Sequence, residues 1–308
     1  MRLIVASPRG FCAGVDRAIR CVDRALERFG PPVYVLNHIV HNAHVVEELR
    51  GRGAVFVRSL EEVPPGSVLL FSAHGVAPDR WVHARARNLR VIDATCPLVE
   101  KVHNEARRFA ERGYHIILIG EVGHDETVGT MGWVDSGRIH LVQTPEEAER
   151  VTVPNPDKVA YITQTTLSVE DCAAVIAVLK QRFPNIQAPP REDICYATTN
   201  RQSAVLSLAP EADLVLVVGD RESANSTRLR DIARSRGIRA ELISDVSKLN
   251  PVWLEGVETV LITSGASVPE RLVDGLLAWF VDHYPGCVVE EQVVCEEDME
   301  FRLPREIA

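Results

Sequence analysis

Short runs of valine, isoleucine and leucine alternate with amphipathic stretches along the whole chain. The strand candidates include LIVAS, PVYVLN, AVFV, SVLLFS, RVIDA, YHIILIG, IHLV, KVAYIT, DLVLVVG, AELI and TVLIT. Helical patterns such as VDRAIRCVDRALERF (15–29) and SVEDCAAVIAVLKQRF (168–183) lie between these runs. Continuous apolar strands separated by helices are typical of parallel sheets that are covered on both faces. The pattern therefore predicts an α/β protein.

Three cysteines share one local pattern, in which a strand-like run leads to the cysteine and a helical stretch follows it. They are Cys12 in GFCAGVDRAI, Cys96 in DATCPLVEKV and Cys195 in DICYATTNRQ. Polar positions recur 28 to 30 residues after each cysteine and again 62 to 72 residues after it. By repeat, these positions are His41, Asn42 and His74; His124, Glu126 and Thr165; and Ser223, Asn225 and Ser267.

The recurrence predicts three diverged copies of one α/β unit. The predicted modules are residues 1–89, 90–188 and 189–285, and a C-terminal tail, 286–308, packs back on the core. Diverged repeats pack around a pseudo-symmetry axis, and ligands of open α/β sheets bind at the carboxyl ends of the strands. We therefore expect three pseudo-symmetric open parallel-sheet modules, with three thiols and six polar loops around one central cavity.

Three converging thiols favour an iron–sulfur cluster over a structural zinc ion. Structural zinc takes four protein ligands, and a cubane cluster normally takes four cysteines. A cluster held by three cysteines leaves one iron open to a substrate oxygen. A position at a helix N-terminus also favours the thiolate form that binds metal.

The polar loops suit an anionic ligand. Histidine rings and serine or asparagine side chains donate hydrogen bonds, and the stretches RESANSTRL and GASVPERL resemble helix starts that bind phosphate. Glu126 is the one carboxylate among these positions, and beside a metal it is a candidate general acid. Taken singly, each of these histidines also fits a structural role, and Glu126 also fits a helix-start carboxylate.

Composition narrows the class of protein further. The 308 residues carry a net charge of −9, which argues against nucleic-acid binding. The start of the chain lacks a signal-peptide pattern, and no apolar run approaches membrane-spanning length, so a cytoplasmic location is expected. Seven cysteines in such a protein are expected to be reduced. Cys21 and Cys172 fit helix core positions, and Cys295 is a further candidate ligand.

The motifs together resemble the 4-hydroxy-3-methylbut-2-enyl diphosphate reductase family of the methylerythritol phosphate route to isoprenoids. The resemblance covers almost the whole chain and rests on GFCAGV, IVHN, SAHGV, DATCPLV, GHDETVGT, TQTTLS, CYATTNRQ, SANS and SGAS. It implies three α/β modules around a [4Fe-4S] cluster held by Cys12, Cys96 and Cys195. It also implies reductive removal of the substrate's allylic hydroxyl, with isopentenyl and dimethylallyl diphosphate as products.

The resemblance assigns roles to the polar positions as well. It implies that the diphosphate is bound by His41, His74, His124, Ser223, Asn225 and Ser267. Glu126, with Thr165 beside it, matches the position that delivers protons. The electron donor is implied to be reduced ferredoxin or flavodoxin.

Two positions depart from the family pattern. Ala224 replaces a serine that many members carry, and His38 stands where many have glutamate. Neither change touches the expected cluster ligands or Glu126. The alternatives left open are a reductase of another allylic diphosphate, a non-enzymatic iron–sulfur sensor and a metal-free sugar-phosphate binding protein.

Overall fold

The computed structural model describes residues 1–308 and contains twelve strands and ten α-helices. The strands are β1 (Arg2–Ser7), β2 (Val33–Leu36), β3 (Ala54–Val57), β4 (Val68–Phe71), β5 (Arg90–Asp93), β6 (His115–Ile119), β7 (Ile139–Val142), β8 (Val159–Thr163), β9 (Leu214–Val218), β10 (Arg239–Ile243), β11 (Thr259–Ser264) and β12 (Val288–Val293). The helices are α1 (Ala13–Phe29), α2 (Ala43–Gly51), α3 (Pro78–Ala86), α4 (Pro97–Glu111), α5 (Asp125–Met131), α6 (Pro145–Arg150), α7 (Val169–Arg182), α8 (Tyr196–Leu208), α9 (Ala224–Ser235) and α10 (Glu270–His283).

The strands form three parallel sheets, which confirms the predicted fold class. The strand orders are β10-β9-β11-β1-β12, β3-β2-β4-β5 and β7-β6-β8. Every strand pair is parallel. Parallel neighbours need crossover connections, and the helices between the strands supply them.

The chain forms two compact units. The first consists of Met1–Val15, His41–Val45 and Tyr196–Glu300, and it contains the five-stranded sheet. The second consists of Asp16–Val40, Val46–Cys195 and Phe301–Ala308, and it contains the other two sheets. The three-module boundaries stay a prediction.

Both faces of the five-stranded sheet are buried at its central strands β9, β11 and β1, as the continuous apolar runs predict. Leu214 and Leu216 of β9 lie in one core cluster with residues of α10, whereas Val215 and Val217 lie in another with residues of α8 and α9. Because successive side chains of a strand point to opposite faces, a run without polar residues fills two cores at once. The three-stranded sheet also packs against a core on each face, because Ile116 and Ile117 lie in different core clusters.

The strand leading to a cysteine joins the sheet of a different repeat. β5, which precedes Cys96, pairs with β4 at one edge of the four-stranded sheet. β1, which precedes Cys12, pairs with β11. Before Cys195 the chain makes one parallel bridge, from Gln187 to Ala160 of β8. The segment before each cysteine thus pairs with the last strand of the preceding repeat: β4 for Cys96, β8 for Cys195 and, closing the cycle, β11 for Cys12.

The tail contributes an edge strand, β12, from the strand-like stretch VVEEQVV (288–294). β12 pairs with β1 and is largely exposed. Its glutamates form ion pairs with arginines near β1, Glu290 with Arg2 and Glu291 with Arg9. Charged side chains on an edge strand oppose pairing with another chain. No helix of the protein combines the length and apolar character needed to cross a bilayer.

Candidate active site

Each of the three cysteines lies where a helix begins. Cys12 directly precedes α1, Cys96 is the N-cap residue of α4, and Cys195 directly precedes α8. One backbone hydrogen bond recurs at all three. The cysteine N–H groups donate to Ala266 O at 3.1 Å for Cys12, Ala73 O at 2.9 Å for Cys96 and Thr165 O at 3.0 Å for Cys195. The repeated bond shows that the cysteine spacing reflects a real structural repeat.

The repeated bond also corrects the alignment of one polar position. The residues that follow the three acceptors are His74, Thr166 and Ser267. Counting along the sequence matched Thr165 with His74 and Ser267, whereas the hydrogen bonds match Thr166 with them. The Thr166 hydroxyl accepts a hydrogen bond from Gln164 Nε2 at 2.9 Å. Sequence reasoning missed Thr166 because the two threonines are adjacent and identical.

The second polar set consists of helix caps. Asn42, His124 and Ser223 directly precede α2, α5 and α9. Their side chains accept hydrogen bonds from N–H groups of the first helical turn: Asn42 from Val45 at 3.1 Å, His124 from Glu126 at 3.1 Å and Ser223 from Ser226 at 3.3 Å. Counting had placed His41 in this set. Asn42 holds the equivalent position, because the first repeat is longer between its cysteine and this helix.

Within the first unit, predicted residues of the first and third repeats lie together. Ser267 Oγ donates to the His41 carbonyl at 3.0 Å. Asn225 Oδ1 accepts from the Ala266 N–H at 3.0 Å, next to the acceptor of the Cys12 bond. Ser223, Asn225 and Ser267 are all buried. Ala224 is the first residue of α9, where backbone N–H groups have no partner within the helix.

Close packing at the strand ends explains two glycines of this region. A Cβ atom on Gly219 or on Gly265 would collide with the Ser226 side chain. Ser226 Oγ in turn donates to Ser223 Oγ at 3.0 Å. The glycines therefore allow the Ser226 side chain, which donates to the Ser223 cap, to lie directly against the ends of β9 and β11.

Within the second unit, Glu126 is held by Thr165. The Thr165 N–H donates to Glu126 Oε1 at 2.7 Å, and the Thr165 hydroxyl donates to Oε2 at 2.9 Å. Glu126 is the second residue of α5 and is only 2% exposed. Both carboxylate oxygens are therefore satisfied, so the side chain has a defined orientation although it is buried.

Burial raises the pKa of Glu126 from its ordinary value of 4.5 to about 7. Desolvation is the largest cause, since burial penalises the charged carboxylate. The two hydrogen bonds from Thr165 oppose this effect, and the charges of Asp193 and Glu121 reinforce it. A carboxyl group with a pKa near neutrality exchanges a proton readily at physiological pH, as a general acid must.

Two histidines lie at the start of α5, the helix that carries Glu126. The rings of His74 and His124 meet edge to face, with centroids 5.7 Å apart. His124 Nδ1 accepts the Glu126 N–H, so a neutral His124 ring carries its proton on Nε2. Asp125 lies 4.0 Å from His74 Nδ1 and accepts a hydrogen bond from Asn37 at 3.1 Å. The second unit thus brings a buried carboxyl group and two imidazole rings to the start of α5.

Cys21 and Cys172 differ in burial from the three cysteines at helix starts, whereas Cys287 and Cys295 are partly buried like those three. Cys21 and Cys172 are buried in the core, where desolvation raises their pKa values to about 11 and about 12. Burial also raises the pKa of Cys295, which follows β12. Cys12, Cys96 and Cys195 are only partly buried. Accessible thiols at the ends of strands fit the donor set of a metal cluster, whereas buried, protonated thiols do not.

His38, the second departure from the family pattern, lies near the end of β2. Its Nε2 atom is 3.4 Å from an Arg58 nitrogen, and its ring meets Phe56 edge to face at 6.4 Å. These contacts account for an imidazole ring at this position.

The profile of the LytB protein family matches residues 3–280. A protein of Acidothermus cellulolyticus named 4-hydroxy-3-methylbut-2-enyl diphosphate reductase is 54% identical over 308 residues, covering 99% of this chain and 90% of that protein. A protein of Magnetococcus marinus with the same name is 52% identical over 307 residues, covering 100% of this chain and 99% of that protein.

Solved structures agree with these relatives. The structure of E-1-hydroxy-2-methyl-but-2-enyl-4-diphosphate reductase from Plasmodium falciparum superposes with a TM-score of 0.96 at 37% identity, covering 99% of this chain and 96% of that chain. A second structure, of (E)-4-hydroxy-3-methyl-but-2-enyl diphosphate reductase, gives a TM-score of 0.65 at 32% identity and covers 92% of this chain and 100% of that chain.

Proposed function

The chain belongs to the LytB protein family, and from that premise we propose that it reduces 4-hydroxy-3-methylbut-2-enyl diphosphate to isopentenyl and dimethylallyl diphosphate. The observation that carries the proposal is identity above half, along nearly the whole chain, to proteins named for this reaction. The reaction breaks the allylic C–O bond. Two electrons and two protons are consumed, one proton leaves with the hydroxyl as water, and the other ends on carbon.

The LytB family is a family of iron–sulfur enzymes. We assign Cys12, Cys96 and Cys195 as the ligands of a [4Fe-4S] cluster, since these thiols are accessible and lie at equivalent positions of the repeat. When bound, the cluster supplies the electrons and a Lewis-acidic iron for the substrate hydroxyl. The side chains of the protein then have to bind the diphosphate and deliver the protons.

We assign diphosphate binding to the polar loop residues His41, His74, His124, Ser223, Asn225 and Ser267. The start of α9 supports this assignment because Ser223 caps it and its first N–H groups lie at the positive end of a helix of twelve residues. Ala224 removes one hydroxyl donor from this set. Its backbone N–H is available in place of that hydroxyl, so binding is retained.

Glu126 delivers the proton in this proposal. With a pKa of about 7, a substantial fraction of Glu126 is protonated at neutral pH. After proton loss, the N–H and O–H groups of Thr165 stabilise the carboxylate without rearrangement, because both already point at its oxygens. A non-enzymatic sensor has no use for such a buried acid. Electrons come from a small reduced carrier, ferredoxin or flavodoxin.

Anaerobic turnover of 4-hydroxy-3-methylbut-2-enyl diphosphate with a chemical reductant tests the proposal, with iron and sulfide assayed in the same sample. Formation of both five-carbon diphosphates is the expected result. A full complement of iron and sulfide without conversion would instead indicate another allylic diphosphate as substrate.

Replacing Thr165 by valine shifts the pH dependence of turnover. The hydroxyl of Thr165 lowers the pKa of Glu126, so its removal raises that pKa further. The acid then stays protonated to higher pH, and the fall of kcat with rising pH moves upward. The Thr165 N–H bond to Glu126 remains in this variant, so the carboxyl group stays in place. Thr165→Ser, which keeps the hydroxyl, is the matched control and retains the wild-type profile.

A further inference from the structure

Three cations lie at matching places in the helices that follow the cysteines. Arg17 comes five residues after Cys12, and Lys101 comes five residues after Cys96. Arg201 comes six residues after Cys195. Arg17 and Arg201 are buried, with 9% and 0% of their surface exposed, and Lys101 is half-buried. Positive charges are rarely buried in a protein without a specific partner, so each position calls for an explanation.

Arg17 donates to the backbone directly before Cys96. Its Nη1 atom is 3.0 Å from Thr95 O, and Nη2 is 3.4 Å from Asp93 O. Its Nε–H donates to Arg302 O at 2.8 Å. Three carbonyl groups of two chain segments therefore surround this guanidinium, and one of them belongs to the residue next to a proposed cluster ligand.

Lys101 makes the same kind of contact before Cys195. Its Nζ atom donates to Arg191 O at 2.6 Å and to Glu192 O at 2.9 Å. It also pairs with the buried carboxylate of Asp193 at 2.7 Å. Asp193 in turn accepts the Thr163 N–H at 2.8 Å, which ties this loop to the end of β8.

Arg201 completes the set before Cys12. Its Nη2 atom donates to Gly10 O at 2.8 Å, and its Nη1 pairs with Glu297 at 3.0 Å. Gly10 has a φ of +70°, a conformation that glycine adopts without strain, and its N–H donates to Ser264 Oγ at 2.8 Å. The loop that carries Cys12 is thus held through both backbone polar groups of Gly10.

The three contacts follow a cyclic order. The cation that follows Cys12 holds the loop of Cys96, the cation that follows Cys96 holds the loop of Cys195, and the cation that follows Cys195 holds the loop of Cys12. A single contact of this kind has no significance beyond local packing. The same contact made from each repeat to the next indicates a shared role at the cysteines.

We propose that Arg17, Lys101 and Arg201, the three bracing cations, are positioning residues that fix the backbone before each cluster ligand. The proposal rests on the proposed iron–sulfur function. Lys101 and Arg201 are paired with carboxylates, whereas Arg17 donates to carbonyl groups. A positive charge near an anionic centre favours the reduced, more negative form, so Arg17 raises the reduction potential as well as holding its loop.

Arg17 offers the cleanest test because its partners are carbonyl groups, so its removal leaves no buried carboxylate without its cation. In Arg17→Met protein reconstituted without oxygen, we expect iron loss to a chelator to speed up about ten-fold or more, in line with losing hydrogen bonds from a charged donor. The reduction potential measured by EPR-monitored titration becomes more negative. In turnover, kcat falls more than KM rises.

Two further variants separate charge from geometry. Arg17→Lys keeps the charge but loses the planar set of donors, so its potential stays near that of the wild type while iron loss is faster. Arg24→Met, on the exposed face of α1 where Arg24 pairs with Glu27, is the matched control and changes neither quantity. If Arg17→Met fails to fold, Arg17→Lys still decides the bracing role through its rate of iron loss.

The outcomes distinguish this proposal from the proposed function. Wild-type protein that binds no iron and sulfide and shows no turnover would remove the proposed function, and the bracing role would fall with it. Wild-type protein with a cluster, alongside Arg17 variants of unchanged potential and unchanged iron loss, would overturn the bracing role alone.

Discussion

Replacing Cys195 by serine removes most of the bound iron and sulfide and abolishes turnover. Serine places a neutral hydroxyl at a position where the cluster requires a thiolate, and oxygen is a poor ligand for soft iron–sulfur centres. The backbone at Cys195 is held by its N–H bond to Thr165, so the substitution changes the ligand while leaving its position intact. Iron and sulfide analysis of anaerobically purified protein, together with the visible absorption of the cluster, measures the effect.

Core cysteines provide the controls for this experiment. Cys172→Ala removes a thiol that is 3% exposed and whose pKa is raised to about 12, so iron and sulfide remain at the wild-type level. Cys12→Ser and Cys96→Ser are expected to behave like Cys195→Ser, because all three thiols occupy the same place in the repeat. Wild-type iron and sulfide in any of these three serine variants would refute the three-thiol assignment.

The sheets could be predicted because their central strands are runs of apolar residues. Residues 214–218 are apolar without a break, and such a run is stable only between two covered faces. β12 lies in the stretch VVEEQVV, which is strand-like in sequence although two of the six strand residues are glutamates, and these lie on an exposed edge. Its pairing with β1 depends on a contact between the two ends of the chain, and local sequence does not specify such a contact.

The cysteine spacing identified the repeat, but it did not reveal that a strand of one repeat pairs in the sheet of another. β5 reads in sequence as the first strand of the second repeat, yet it completes the sheet of the first. The bracing cations follow the same principle, because Arg17 acts on the loop before Cys96, 78 residues away. Such contacts depend on tertiary packing between segments that are distant in the chain, and no periodicity within either segment encodes them.

Thr165 and Thr166 show the limit of counting residues. An insertion of one or two residues between repeats shifts every later match, whereas a hydrogen bond identifies the equivalent position directly. The Cys195 bond to Thr165 O is the observation that separates the two threonines. The family resemblance placed Thr165 beside Glu126, but the two hydrogen bonds between them came only from the structure, since the residues are 39 positions apart in the chain.

Replacing Glu126 by glutamine lowers kcat by roughly 10²–10⁴-fold, the range found for loss of a general acid. Glutamine has nearly the same shape as the protonated acid, and its Oε1 still accepts the Thr165 N–H, so iron and sulfide content stays at the wild-type level. The glutamine amide has no acidic proton to transfer to the leaving hydroxyl. Wild-type turnover in this variant would exclude Glu126 as the proton donor, and Glu121→Gln, at a nearby partly exposed carboxylate, is the comparison.

The same substitution changes the pH dependence of both activity and stability. Wild-type kcat falls as pH rises through about 7, because Glu126 loses its proton there, and Glu126→Gln lacks this fall.

The stability of the fold depends on the same group. Since the pKa of Glu126 in the folded protein lies above the unfolded value of 4.5, the folded state binds the proton more tightly between these pH values. Glu126 therefore contributes most to stability below the unfolded pKa, and its contribution is lost as pH rises through the folded one. Glu126→Gln, which is neutral throughout, is expected to melt at a higher temperature than the wild type at about pH 8 and closer to it at about pH 5. A thermal midpoint that differs equally from that of the wild type at both pH values would show that the carboxyl group is not forced to ionise in a buried site.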